Sequence, residues 1–274
     1  MNIPKRVTIE LTNRCNRACR GCPRHKMTSP LGDMSLTLLQ RIVEQLPSNT
    51  IIVPFFRGEA VFHPQFVEAL QILNRFDEVQ MATNGDLLTD SKKEAVLKTC
   101  SFISYSLHTS SLPDDLPEIA EFLDEARSKG LDTQVSILET EIPDGGKQTL
   151  VDSWLQHADR FRIYVEHSKD GFGNVDSKYK KDFGNKPCSK PFTDMVIYWD
   201  GKVVLCNHDW DNKEPVGDLN HQYIDDVWNG DEYSKIRENH TMGYRKQVNS
   251  CKDCDYWMLE YMPERMFGEV YSNE

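Results

Sequence analysis

The stretch Leu11-Thr12-Asn13-Arg14-Cys15-Asn16-Arg17-Ala18-Cys19-Arg20-Gly21-Cys22-Pro23-Arg24 decides the reading of this chain. It gathers three thiols in one loop directly after the apolar alternation of Val7, Ile9 and Leu11. Three thiolates are one short of the four that normally close a structural metal site. A four-iron four-sulfur cluster held by three cysteines instead keeps one iron open, and an open iron is a place for chemistry. The plainer alternative is a zinc site completed by a histidine such as His25.

Outward from this loop the pattern alternates between strand and helix. Short apolar runs predict strands over 7–11, 51–56, 78–82, 102–107, 132–138 and 160–165. Helical periodicity fills the gaps at 35–46, with Ser35 as N-cap, and at 65–74, 91–99 and 118–129, the last stopped by Gly130. Helices crossing between parallel strands make an α/β fold, here a partial TIM-like (β/α)6 barrel. Within the fourth strand Ile103, Tyr105 and Leu107 share one face while Ser104, Ser106 and His108 share the other. In the sixth, Phe161, Ile163 and Val165 oppose Arg162, Tyr164 and Glu166. Helices cover the apolar face, so the polar set, joined by Gln134 and Ser136, should line a lumen that holds small molecules. A complete barrel fills that space with branched apolar side chains.

Composition narrows the class. The chain has 274 residues with 43 acidic against 32 basic ones, a formal net charge of -11. That balance argues against a broad nucleic-acid surface, which needs clustered cations. Its N-terminus enters a strand without an apolar leader, and no window reaches the length of a membrane span, so a cytoplasmic protein is expected. Eight cysteines in a reducing compartment point to metal or catalysis rather than disulfides.

Past the sixth strand the segment 168–187 lacks apolar periodicity and reads as a linker or a loop over the barrel mouth. A hairpin follows, arms 195–199 and 202–205, turning at Asp200-Gly201. Cys188 precedes it, Cys206 follows it, and Cys251 and Cys254 form a Cys-x2-Cys pair farther on. Four thiolates close a zinc or iron-sulfur site, and spacing alone favours zinc. Cys100, before the fourth strand, reads as a small buried side chain, and His63, His208 and His221 as loop or capping residues. The aromatic run 256–262 reads as a docking helix.

Two further segments stand in order after the cysteine loop: Arg57-Gly58-Glu59-Ala60-Val61-Phe62-His63-Pro64 after the second strand, and Thr83-Asn84-Gly85-Asp86-Leu87-Leu88-Thr89 after the third. Together with Cys-x3-Cys-x2-Cys they resemble the radical S-adenosylmethionine (SAM) enzymes, and the C-terminal cysteines with Gly217-Asp218-Leu219 and 224–229 resemble their SPASM, or twitch, appendage. The resemblance implies a SAM-binding four-iron cluster on Cys15, Cys19 and Cys22, and an auxiliary one on Cys188, Cys206, Cys251 and Cys254. It also implies that Glu59, with Gly58, Thr83 and Asn84, receives SAM, beside Ser104, Ser106, Gln134 and Ser136. The division implied is a barrel over 1–170 and a linker plus appendage over 171–274.

Three positions depart from the family pattern: Ala60 replaces a usual proline, Arg57 a frequent glycine and Gly21 a usual aromatic. Arg57 is expected as a surface or substrate-contacting cation. Within the family the chain most resembles the 2-deoxy-scyllo-inosamine dehydrogenases, in which the auxiliary cluster accepts an electron as an alcohol becomes a ketone. Their substrate arginine corresponds to Gly171 here, leaving Lys169, Arg162 or His167 to substitute. Arg162, Tyr164, Glu166, His108 and Lys169 are therefore the candidate substrate and proton-handling residues. Expected partners are a small polar substrate and an external one-electron donor such as flavodoxin or ferredoxin, with neither nucleic acid nor membrane. A peptide-modifying enzyme is the runner-up, since no peptide-binding domain precedes the first strand; a noncatalytic zinc-binding protein is the reading from another class.

Overall fold

The computed structural model describes residues 3–19, 22–164, 186–254, 256–261 and 268–273. Strands β1 (Arg6–Ile9), β2 (Ile51–Val53), β3 (Glu78–Thr83), β4 (Phe102–Ser106), β5 (Asp132–Leu138) and β6 (Arg160–Tyr164) pair in sequence order, all parallel. Helices α1 (Leu36–Val43), α2 (Phe66–Leu73), α3 (Asp90–Thr99), α4 (Pro117–Ser128) and α5 (Lys147–Trp154) make the crossovers. The predicted partial barrel is thus the observed one, each predicted strand and helix falling within a few residues of its expected ends.

Local chemistry explains the boundaries. Ser35 Oγ accepts the Leu38 backbone N–H at 3.2 Å, satisfying one of the orphan donors at the start of α1. That helix buries Leu39, Ile42 and Val43, the i, i+3, i+4 stripe of an amphipathic helix. Val7, Ile9, Val79, Ile103, Val135 and Phe161 are completely buried in the layer between strands and helices. Alternation therefore leaves Ser104, Gln134 and Ser136 on the opposite face, buried but polar.

The second half of the chain joins this sheet at both edges. Helix α6 (Lys190–Thr193) leads into β7 (Asp194–Ile197), which pairs parallel with β1, from Arg6 opposite Asp194 to Ile9 opposite Ile197. Strands β8 (Lys202–Val204) and β9 (Pro215–Asp218) continue antiparallel, so the expected hairpin extends the barrel sheet rather than standing apart from it. Its turn holds Gly201 at φ +87°, a conformation other residues resist. Helices α7 (Ile224–Trp228), α8 (Asp231–Thr241) and α9 (Tyr256–Leu259) complete the appendage. At the far edge β10 (Gly268–Ser272) pairs antiparallel with β6, a strand the sequence did not announce. The expected boundary at 170/171 lies outside the described residues.

Arg57 corrects its sequence reading. It is neither exposed nor free for substrate: its guanidinium meets the Glu10 carboxylate in two hydrogen bonds, Nε to Oε1 at 2.7 Å and Nη2 to Oε2 at 2.6 Å. Both side chains are 0 % exposed. Arg57 Nη1 donates to Trp210 O and Ser29 Oγ, and the guanidinium lies 3.4 Å from the centre of the Tyr198 ring. Because β1 turns Val7, Ile9 and Leu11 toward the helices, Glu10 points the other way, where a buried carboxylate must find a cation.

Removing one partner of such a pair strands a buried charge. Glu10→Gln is expected to lower the unfolding free energy by about 3–5 kcal/mol, measured by denaturant titration of the anaerobic protein. The double change Glu10→Leu with Arg57→Met is expected to recover much of that loss.

Candidate active site

The cysteine loop leaves β1 and is tied down at several points. Thr12 Oγ1 donates to Gly32 O at 3.0 Å, and Asn13 Nδ2 donates to Pro30 O at 2.8 Å. Gly58 lies against this loop from the β2 side: a Cβ there would press on the carbonyl oxygens of Thr12 and Arg14 and stand 2.8 Å from the Asn13 carbonyl carbon. Only glycine allows that approach. The next residue locks the contact, since Glu59 N–H donates to Arg14 O at 2.8 Å.

The Glu59 side chain points away from solvent, 5 % exposed, and collects three donors. Thr83 Oγ1 (2.9 Å) and Val61 N–H (3.3 Å) reach Oε1, and Asn84 N–H (2.9 Å) reaches Oε2. Burial pushes this carboxyl above the ordinary carboxylate range, against the opposing pull of those hydrogen bonds. A carboxylate offers about four lone-pair sites, so Glu59 keeps acceptor capacity for one more donor.

The turn after β3 also grips the cysteine loop. Asn84 Nδ2 donates to Asn16 Oδ1 at 2.9 Å, and Asn16 Nδ2 donates to Asp86 Oδ2 at 2.8 Å. Arg17 forms an ion pair with Asp86, its Nε 2.6 Å from Oδ2. The Arg17 hydrogen bond holds the Asp86 carboxyl below its usual range. Asn16, Arg17 and Asp86 were not among the expected site residues, although Arg17 lies between two cysteines and Asp86 inside the quoted turn.

Cys15, Cys19 and Cys22 are partly exposed and unbridged. Burial raises the Cys15 and Cys19 thiols, and each is raised further by the neighbouring cysteine charges. Ionising them needs a compensating positive centre, which iron would supply. His108, expected in the substrate pocket, lies with Nδ1 3.3 Å from Cys19 Sγ. Burial lowers its pKa, leaving the ring neutral near pH 7.

Deeper in the lumen Gln134 Nε2 donates to Ser104 Oγ at 3.1 Å, and Ser104 and Ser136 share a 3.3 Å hydrogen bond. Ser106 is half-buried on the same face of β4. Arg162 lies over the Tyr164 ring, 4.5 Å from its centre, with Nε buried and without a hydrogen-bond partner among the described residues. Glu166, His167, Lys169 and Gly171 lie outside the described residues, as does the side chain of His25.

In the appendage Cys188, Cys206, Cys251 and Cys254 line one cavity with His208 and His240. Burial raises the Cys188, Cys206 and Cys251 thiols well above their ordinary value. Among the described residues no three histidine, cysteine or acidic side chains converge as ligands of a single ion do. The four thiols line one space and are the donor set of a closed four-iron cluster, as the three loop thiols are the donor set of one with an open iron. Cys100, by contrast, is buried alone, its thiol pushed up to about 12 by burial. His63 is a structural residue, Nε2 at 2.9 Å from Met34 O and Nδ1 accepting Gln65 N–H.

Comparison with known proteins bears on this geometry. The radical SAM superfamily model matches residues 9–143, and the model of an iron-sulfur cluster-binding domain, SPASM, matches 188–255. The chain is a radical SAM enzyme with a SPASM domain. The radical SAM match takes in the three-cysteine loop, Glu59 and the turn at Thr83; the SPASM match takes in all four thiols of the appendage. The chain is 25 % identical, over 91 % of its length and 92 % of the relative's, to the S-adenosyl-L-methionine-dependent 2-deoxy-scyllo-inosamine dehydrogenase of Niallia circulans. It superposes on the crystal structure of BtrN in complex with AdoMet and 2-DOIA with a TM-score of 0.66 and 19 % identity, covering 92 % of this chain and 93 % of that one. Streptococcus suis SuiB bound to precursor peptide SuiA gives a TM-score of 0.68 at 16 % identity, covering 96 % of this chain and 74 % of that one. This radical SAM enzyme therefore carries two four-iron four-sulfur clusters and SAM. No helix among the described residues is long and apolar enough to cross a membrane.

Two outcomes test the loop's anchoring. Gly58→Ala is expected to lose most of the iron at the three-cysteine site while keeping the auxiliary iron, read as iron and sulfide per chain. The Asp86 carboxyl has a depressed folded pKa, so its contribution to stability is present above the ordinary carboxylate pKa and fades as pH falls through the depressed value. Asp86→Asn is accordingly expected to reduce unfolding midpoints at pH 7 and to have little effect in strong acid.

Proposed function

We propose that this enzyme oxidises an alcohol carbon of a small polar molecule to a ketone, consuming one SAM per turnover. When bound, SAM and the two clusters supply a 5'-deoxyadenosyl radical that takes the carbinol hydrogen and an acceptor for the remaining electron. The similarity to the dehydrogenase along nearly the full length of both chains carries this reading, and both sets of cysteines lie inside the two family matches.

The roles of individual residues follow from their surroundings. Glu59 holds the SAM amino group with its spare acceptor capacity, while Thr83 and Asn84 keep the carboxylate aimed. Gly58 lets this acceptor sit against the cysteine loop. Ser104, Ser106, Gln134 and Ser136 present hydroxyl and amide groups to SAM and substrate. Arg162 offers a buried N–H to a substrate oxygen, and Tyr164 orients it by stacking. His108, neutral near pH 7, is able to receive the hydroxyl proton. Glu166 and Lys169 are assigned to the same pocket by the alternation and spacing of the sequence alone. The reducing electron comes from a cytoplasmic carrier such as flavodoxin or ferredoxin.

The test is an anaerobic incubation of reconstituted enzyme, carrying about eight irons per chain, with SAM, dithionite and a panel of aminocyclitols and sugars. Equal amounts of 5'-deoxyadenosine and ketone are expected from one member. Replacing Cys15, Cys19 and Cys22 with alanine is expected to abolish both products, whereas Cys206→Ala is expected to keep deoxyadenosine and lose most of the ketone. A mass change on an added peptide, with no small molecule oxidised, would favour the peptide-modifying reading that the likeness to SuiB keeps in view. Zinc in place of iron would sink the whole assignment.

A further inference from the structure

Of the buried appendage groups without a hydrogen-bond partner among the described residues, one belongs to His240, which lines the cysteine cavity. His240 lies near the end of α8, on the stripe with Tyr233 and Ile236 that faces the core, and is 0 % exposed. Its Nδ1 accepts the backbone N–H of Cys188 at 3.2 Å. A ring nitrogen that accepts a hydrogen bond carries no proton, so this contact assigns a neutral imidazole with its single proton on Nε2. Nε2 is buried and has no hydrogen-bond partner among the described residues. Buried donors in native proteins are rarely left so.

The same ring lines the cavity shared by Cys188, Cys206, Cys251 and Cys254. Two nearby cations are committed elsewhere. Arg245 donates to the carbonyl oxygens of Cys251 and Cys254, and Lys190 pairs with Asp194 at 2.6 Å. We propose that His240 donates its Nε2–H to a sulfur of the auxiliary cluster and thereby holds that cluster at a higher reduction potential than its four thiolates alone would set. A hydrogen bond to cluster sulfur stabilises the extra negative charge of the reduced state, which is how protein surroundings tune such centres. His240 also reads the ligand segment itself, because its ring is held in place by the backbone of Cys188. The value of this tuning to catalysis rests on the dehydrogenase reading; the hydrogen bond does not, and is measured without substrate.

The auxiliary cluster is isolated by replacing Cys15, Cys19 and Cys22 with alanine, and its midpoint potential is followed by electron paramagnetic resonance during redox titration. With His240→Leu the potential is expected to fall by about 59 mV, the one-electron equivalent of a tenfold change in the redox equilibrium. His240→Gln supplies both an acceptor for Cys188 and an N–H donor, and is expected to recover at least part of that shift. Independently, histidine labelled with nitrogen-15 in its ring is expected to give a nitrogen coupling to the reduced cluster that His240→Gln removes. An unchanged potential in a His240→Leu protein that retains its auxiliary irons would overturn the proposal. So would the absence of that coupling in the chain with His240 intact, which decides the matter even where His240→Leu fails to assemble a cluster.

Discussion

Glu10 and Arg57 meet where β1, the turn after β2 and the hairpin of the appendage come together, and neither charge touches water. Burying two ions is costly, and only close, bidentate geometry with every remaining donor satisfied offsets it. The pair therefore tolerates little displacement of the parts that supply it. Arg57 is the residue before Gly58 and Glu59, while its other contacts are Ser29, Trp210 and the face of Tyr198. Tyr198 donates to Asp209 O at 2.5 Å, and the Asp209 carboxylate accepts from Ser250, the neighbour of Cys251. One chain of contacts thus runs from the turn after β2 to the cysteines of the appendage, and the charge pair is its most constrained link.

The same logic of anchoring governs the cysteine loop. Three thiols on a loop do not hold their own positions; Gly58 admits the loop backbone, Glu59 fastens it, and Asn16 and Arg17 tie it to Asp86. The segment that carries Glu59 and the turn that orients its carboxylate are in this way also what holds the three-cysteine loop. A change at one is felt at the other, which is why the two motifs occur as neighbours in space although the loop and the Thr83 turn are far apart in sequence.

Much of this was legible in the sequence because it rests on short-range patterns. Period-two and period-3.6 alternation located the six parallel strands and four of the five helices between them, α5 (Lys147–Trp154) being the exception, Asp200-Gly201 announced the hairpin, and the order of the motifs pointed to the superfamily. What escaped depends on long-range encounters. From sequence Arg57 reads as a surface or substrate cation because nothing local states that Glu10 faces it. Strand β10 was missed because Gly268-Glu269-Val270-Tyr271-Ser272 is short and half polar, and its partner β6 lies about a hundred residues earlier. His240 gave no motif; its only local signal is the spacing Tyr233, Ile236, His240, which places a polar ring on a buried helical stripe.

The two outer pairings of the parallel sheet, β7 on β1 and β10 on β6, both come from the second half of the chain. Until those segments exist, the six-stranded unit has two open edges, each a row of unpaired backbone groups able to recruit another strand. Synthesis proceeds from the N-terminus, so the barrel segment emerges from the ribosome before either cover is available. The edge contacts are also among the most distant in sequence, and such contacts close slowly. A nascent chain therefore exposes the β1 and β6 edges until its second half is made, and the finished sheet carries its edges on β9 and β10 instead.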